Sequence, residues 1–333
     1  MFKNRRRIEG SVAVVTGASS GIGRATTLCL AERGADVVLA ARSETDLADA
    51  ARECERAGAC AIAVPTDVGD ERAVQELADA AMARFGRIDA WVNNAGVIAY
   101  GDVEDMPSEV FEQVIRTNLF GQINGARAAL GAFRRSRSGV LVNVASIWGR
   151  MTSPHVGAYV VSKHGVRAFS ECLRQSLHDK PETDDIHVCT IFPESIDTPI
   201  FRHAANYTGR GVKPVPPVAA PHRVAGAIVS CIERPELEVT VGWVGHMVEL
   251  GTSVLPPAVY AGLVPWVFDR TVFDSGSERP DPGNLFEPQP ELNRIDGGWR
   301  DSGTRRIRWG AAAAALAVPL LAGGFAARRA LTN

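Results

Sequence analysis

Tyr159 and Lys163 stand four residues apart in Tyr159-Val160-Val161-Ser162-Lys163. That spacing puts both side chains on one face of a helix, a turn apart. A free phenol titrates near pH ~10. A neighbouring ammonium favours the phenolate and lowers that value. Such a pair can exchange a proton with an alcohol or a carbonyl near neutral pH. The spacing alone occurs often by chance, so its surroundings decide what it means.

A second cluster lies near the N-terminus. The apolar run Val12–Val15 is followed by Thr16-Gly17-Ala18-Ser19-Ser20-Gly21-Ile22-Gly23, then by an alanine-rich, helix-prone stretch from Arg24 to Arg33. This reads as strand, glycine-rich turn, helix. Glycines permit positive φ and close backbone approach. The start of a helix offers free N–H groups and a partial positive charge to a phosphate. The spacing is Gly-x-x-x-Gly-x-Gly rather than the commoner dinucleotide pattern. An ordinary turn is the alternative; the flanking strand and helix favour phosphate.

Thr16-Gly17-x-x-x-Gly21-Ile22-Gly23, Asn93-Asn94-Ala95-Gly96, Ser146 and Tyr159-x-x-x-Lys163 follow one another in fixed order. In these motifs and their separations, residues 8 to 245 resemble the classical short-chain dehydrogenase/reductase family. The resemblance implies a Rossmann-like, doubly wound parallel sheet with helices on both faces. It implies binding of NAD(H) or NADP(H) and reversible hydride transfer between a carbonyl and an alcohol. Tyr159 would be general acid in reduction and general base in oxidation. Lys163 would lower its pKa and hydrogen-bond the nicotinamide ribose. Ser146 would hold the substrate oxygen, and Asn118 would hold a water joining Lys163 to solvent. The implied cofactor site comprises Thr16, Gly17, Ser19, Ser20, Gly21, Ile22 and Gly23 in the turn. Asp67 and Val68 would border the adenine. Asn93, Asn94, Ala95 and Gly96 would line the adenosine side and steady the central strand. Tyr159 and Lys163 belong to this set as well, as do Pro193, Ile196 and Thr198 on the nicotinamide side.

The second strand ends at Ala40-Ala41-Arg42. An NAD enzyme carries an acid here that hydrogen-bonds the ribose hydroxyls. Ala41 takes that place and Arg42 follows; a guanidinium pairs with a phosphate in bidentate fashion. The expected cofactor is therefore NADP(H), with NAD as the alternative. One departure from the family pattern is Glu194, which replaces the glycine after Pro193. It reads as a turn variant before it reads as a substrate contact.

At 333 residues the chain exceeds one large α/β domain. A formal net charge of −2 gives no electrostatic case for nucleic acid. Six cysteines form no Cys-x-x-Cys pair and the histidines show no metal spacing, so no metal site is expected. The expected strands after the first are 36–40, 60–64, 90–93, 140–144, 186–192 and 238–241. Ser43 reads as an N-cap for a helix that Gly58 stops. Thr208 to Pro221 reads as a mobile loop, and Ser275 to Gly298 as a linker. The domain reading is 1–245 for the dehydrogenase, 246–304 for an irregular extension and linker, and 305–333 for an apolar tail helix.

Trp309 to Ala327 carries no charge and is flanked by arginines. A spanning helix needs about 20 apolar residues. The tail reads as a membrane-binding or spanning helix, with the catalytic domain on the cytoplasmic side by its arginine bias. No signal peptide is expected. The alternative is a cytoplasmic soluble protein whose Ala-rich tail docks on the enzyme or mediates homo-oligomer assembly. Trp148, Ile98, Phe201 and Tyr207 are read as walls of an apolar pocket for a hydrophobic carbonyl or alcohol. A non-catalytic nucleotide sensor and an epimerising enzyme are the competing readings of function.

Overall fold

The structure, a computed structural model, describes residues 5–178, 180–242 and 257–300. Seven of its strands form one parallel sheet: β1 (Val12–Thr16), β2 (Asp36–Ala41), β3 (Ala61–Pro65), β4 (Ala90–Asn93), β6 (Gly139–Val144), β7 (Ile186–Pro193) and β10 (Glu238–Val241). The order is β10-β7-β6-β4-β1-β2-β3. This is the doubly wound dinucleotide-binding order with one strand added at the β7 edge. Strands buried on both faces read as continuous apolar runs; β1 and β6 are buried at every position. Their side chains alternate between two cores. Ala13, Val15, Val37 and Leu39 enter one with Leu30, Leu47 and Ile228. Val12, Val14 and Val38 enter the other with Leu77, Phe133 and Leu141.

The helices follow the strands. They are α1 (Gly21–Ala31), α2 (Glu44–Arg56), α3 (Glu71–Phe85), α4 (Ser108–Ile115), α5 (Gly121–Ser136), α6 (Gly157–Leu177), α7 (Pro221–Glu233) and α8 (Pro257–Val272). The Ser43 side chain accepts the Asp46 N–H at 3.4 Å, and Glu44 and Asp46 stand in the positive first turn of α2. Gly58 follows with φ +96°, a conformation that favours glycine. Both ends agree with the sequence expectation.

Two expectations are corrected. The stretch 208–221 is held rather than loose, since β9 (Arg210–Val212) pairs antiparallel with β11 (Phe273–Ser277). The segment after β11 is no free linker; Asp281 and Asn206 exchange both backbone hydrogen bonds. A further short pair, β5 (Ala99–Tyr100) and β8 (Ala205–Asn206), runs parallel beside it. Among the described residues no helix is long and apolar enough to cross a membrane. The stretch Trp309 to Ala327, on which the membrane expectation falls, lies outside the described residues.

Candidate active site

In an open α/β sheet the ligand crevice opens at the carboxyl ends of the strands, where the order reverses. Here the reversal lies between β1 and β4. A cleft opens there, and the turn after β1 forms its floor. Gly17 has φ +67° and Gly21 φ +52°. A Cβ on Gly23 would lie 2.6 Å from Asn94 Nδ2 and overlap the Gly17 carbonyl oxygen. The three glycines thus serve turn geometry and close packing. The first N–H groups of α1 have no partner inside the helix and stand at the cleft. Donors, dipole and a side-chain-free turn suit a dinucleotide phosphate.

Thr16 and Asn94 lock that turn to β4. Thr16 Oγ1 accepts the N–H groups of Asn94 and Ala95 at 3.0 and 3.1 Å, while Asn94 Nδ2 donates to the Thr16 carbonyl at 2.9 Å. Asn93 faces away into the core. It accepts from Trp91 Nε1 at 2.8 Å and donates to Asn143 Oδ1 and the Gln122 carbonyl at 2.9 and 3.0 Å. A buried amide with all these partners fixes the central strands.

Tyr159 and Lys163 lie on α6, and Ser146 follows β6. All three are buried at the cleft. The Ser146 hydroxyl lies near enough to the Tyr159 hydroxyl to lower its pKa. Lys163 Nζ donates to the Val144 carbonyl at 3.0 Å and stands 5.4 Å from the Tyr159 ring centroid. Burial and Ser146 are the influences on the Tyr159 hydroxyl here, and Lys163 is not among them. Burial is the larger influence and pushes Tyr159 up to about 12, with Ser146 opposing it. The same burial pushes Lys163 down to about 7, so its charge is already weakened at neutrality.

Asn118 is fully buried in a π-helical turn, Arg116–Phe120, between α4 and α5. Such turns often accompany functional sites. Its side chain accepts the Val97 N–H at 2.8 Å and donates to the Val97 carbonyl at 2.9 Å and to Ser162 Oγ at 3.1 Å. These bonds fasten the 94–97 loop to α6.

The cleft therefore brings together Gly17, Ser19, Ser20, Gly21, Ile22, Arg42, Asp67, Val68, Asn94, Ala95 and Gly96 on one side. Ser146, Tyr159, Lys163, Pro193, Ile196 and Thr198 stand on the other. Thr16, Gly23 and Asn118 lie behind its wall. Ile98, Trp148 and Phe201 line it as expected, and Trp148 meets Tyr159 edge-on at 5.7 Å. Tyr207 does not line it; it packs beside Gly101 at the end of β5. Glu194 lines the cleft while its carboxylate presses on Gly242, whose φ is +143°. Sequence reasoning missed His203, Asn284, Gln289 and Asn293, which also line it. Three of these belong to a segment whose composition suggests only a linker.

Lys163 gives a pH prediction. Its folded value, about 7, lies below the ordinary 10.5. Between those values the unfolded chain keeps a proton that the folded chain has released, so stability rises with pH across that window. Denaturant midpoints of the protein without dinucleotide should therefore rise relative to Lys163→Met as pH goes from about 7 to about 10. A constant difference between the two proteins would contradict the buried, weakly basic lysine.

Comparison with known proteins agrees with this geometry. A family model for short chain dehydrogenase matches residues 11–207. The uncharacterized oxidoreductase YxnA of Bacillus subtilis is 36% identical over 241 residues, covering 71% of this chain and 67% of that protein. The archaeal alcohol dehydrogenase of Thermococcus sibiricus, solved with 5-hydroxy-NADP, superposes with a TM-score of 0.60. It is 28% identical and covers 70% of this chain and 96% of that one. A short chain dehydrogenase/reductase of Burkholderia phymatum, solved with NAD, gives 0.64 at 28% identity, covering 74% and 92%. Fold and cleft define a nicotinamide-dependent dehydrogenase acting on CH–OH groups. The chain belongs to the short-chain dehydrogenase/reductase family.

Proposed function

We propose that the protein interconverts a lipophilic ketone or aldehyde and its alcohol, with NADP(H) as the preferred cofactor. The observation that carries this reading is the Ser146–Tyr159–Lys163 group buried beside a cleft whose far wall is apolar. The bound dinucleotide supplies or accepts the hydride. Tyr159 moves the proton to or from the substrate oxygen. Ser146, beside the tyrosine, holds that oxygen and stabilises charge as it develops. Lys163, drawn between the Val144 carbonyl and the ligand, supplies a positive charge when protonated, and this favours the phenolate. Asn118 positions this group by tying the 94–97 loop to α6. Ile98, Trp148, Ile200 and Phe201 exclude water around the reacting carbon and favour an apolar substrate body.

The NADP reading rests on Ala41 and Arg42. No carboxylate pairs with Arg42 among the described residues, and burial lowers its pKa although Asp67 opposes this. Two of its N–H groups donate to the Asn284 and Leu285 carbonyls, which leave the positive charge in place. A 2′-phosphate would neutralise it. Wild-type kcat/KM should be higher with NADPH than with NADH, and Arg42→Asp should reverse that order by lowering the NADPH value at least about tenfold. A wild-type preference for NADH contradicts the reading.

The tail reading rests on composition alone. It keeps 1–245 as the dehydrogenase domain, 246–304 as the extension and 305–333 as a membrane-binding segment, with catalysis on the cytoplasmic side. Full-length protein should then sediment with membranes and resist high salt, while a chain ending near Gly303 should stay in solution and keep its activity. Release by salt alone would exclude an apolar anchor.

A further inference from the structure

The segment from Asp281 to Arg300 crosses the open side of the cleft and is fastened on both banks. On the β2 side, Arg42 donates to the Asn284 and Leu285 carbonyls, and Asn293 Nδ2 donates to Asp46 Oδ2 at 2.7 Å. On the β7 side, Asp197 accepts the N–H groups of Trp299 and Arg300 at 2.8 and 3.3 Å, and Trp299 Nε1 donates to the Thr198 carbonyl at 3.2 Å. Between these anchors the Arg294 carbonyl accepts the Gly21 N–H at 2.9 Å. A strap oxygen therefore already occupies a donor on the turn suited to phosphate. Leu285 is fully buried and seats the strap in the core around Tyr100 and Phe273.

The strap brings further polar side chains to the side of the cleft that already holds Ser19, Ser20, Arg42 and Asp67. Gln289 lines the cleft, and its side-chain amide has no hydrogen bond among the described residues. His203, whose carbonyl accepts the Asn284 N–H at 2.9 Å, also lines the cleft; it is only 4% exposed and its Nε2 is buried with no partner among the described residues. An unpaired buried polar atom costs stability. Such an atom in a ligand cleft marks a place where a ligand can repay that cost.

We propose that the strap is the outer wall of the dinucleotide site: Gln289 and Asn293, with His203, contact the adenosine–diphosphate half of the bound nicotinamide dinucleotide, and the strap must lift before that dinucleotide can leave. This rests on the reading that the cleft holds the dinucleotide. Release through the cleft mouth requires breaking the anchors at Arg42, Gly21 and Asp197, so the dinucleotide leaves no faster than the strap opens. The contacts are neutral hydrogen-bonding groups, suited to ribose hydroxyls and phosphate oxygens.

The test uses the full-length protein with NADPH and NADH as probes, measuring affinity by calorimetry and release by rapid displacement. Gln289→Ala with Asn293→Ala should weaken binding about tenfold. Trp299→Ala, which loosens one anchor and removes the edge-on contact with Phe201, should speed release by about tenfold or more. His203→Leu should weaken binding several-fold, yet the protein without dinucleotide should melt no lower than wild type, because an unpaired nitrogen has been removed. A purely structural His203 would instead lower the melting temperature and leave affinity unchanged. If wild type binds a dinucleotide and all these variants bind and release it at wild-type rates, the strap proposal is overturned. If wild type binds neither probe, the dinucleotide reading itself fails and the strap with it.

Discussion

Tyr159→Phe should lower kcat by at least about a hundredfold while leaving dinucleotide affinity within about threefold, as expected for loss of a general acid–base. The substitution keeps the ring and therefore its edge-on contact with Trp148 at 5.7 Å. It removes only the hydroxyl that faces Ser146. Burial holds that hydroxyl protonated, with a pKa pushed up to about 12, so the resting tyrosine is a proton donor suited to reduction. For alcohol oxidation the phenolate must be reached, and the activity should climb with pH through the neutral range and beyond. Steady-state rates in both directions, with separate binding titrations, check this. A variant that retains most of its turnover would remove Tyr159 from the chemistry.

Gly23→Ala should be nearly as damaging, by a different route. The added Cβ would lie 2.6 Å from Asn94 Nδ2 and inside the Gly17 carbonyl. Both neighbours are fixed, since Asn94 donates to the Thr16 and Gly17 carbonyls at 2.9 and 3.3 Å. Neither can retreat without opening the turn. Overpacking of this kind costs about 1–3 kcal/mol, and the displaced turn would no longer present its N–H groups to a phosphate. Denaturant titration should show the loss of stability, and calorimetry a loss of dinucleotide affinity of about tenfold or more. Gly131→Ala is the control, because a Cβ there meets nothing within 4 Å. Equal behaviour of the two variants would mean that the turn is not tightly packed.

The sheet was legible because its strands are buried on both faces and so form unbroken apolar runs. The expected strands 90–93 and 238–241 coincide with β4 and β10, 60–64 is shifted by one residue from β3, and the others differ by a residue at one end. Ser43 and Gly58 marked α2 because caps are local chemistry. The cleft walls followed from motif spacing. What escaped has no such signature. The strap holds Arg42 and Gly21 through the backbone carbonyls of Asn284, Leu285 and Arg294; a carbonyl is the same in every residue and leaves no trace in composition. β9 has only three residues, and its partner β11 lies about sixty positions away, too short and too distant for periodicity to show. The behaviour of Lys163 was also hidden. Spacing placed it beside Tyr159, but its weakened basicity comes from burial by many residues around the cleft.

The central claim is hydride transfer between a nicotinamide dinucleotide and a carbonyl carbon, with the proton moved by Tyr159. Its most direct test is label transfer. Purified full-length protein is incubated with NADPH deuterated at the nicotinamide C4 and a panel of hydrophobic ketones and aldehydes, and the products are read by mass spectrometry. The account predicts an alcohol carrying one deuterium on the carbinol carbon, with the oxidised dinucleotide formed in equal amount and no such product from Tyr159→Phe. Dinucleotide that binds but keeps its label, with product absent or formed only by epimerisation, would contradict it.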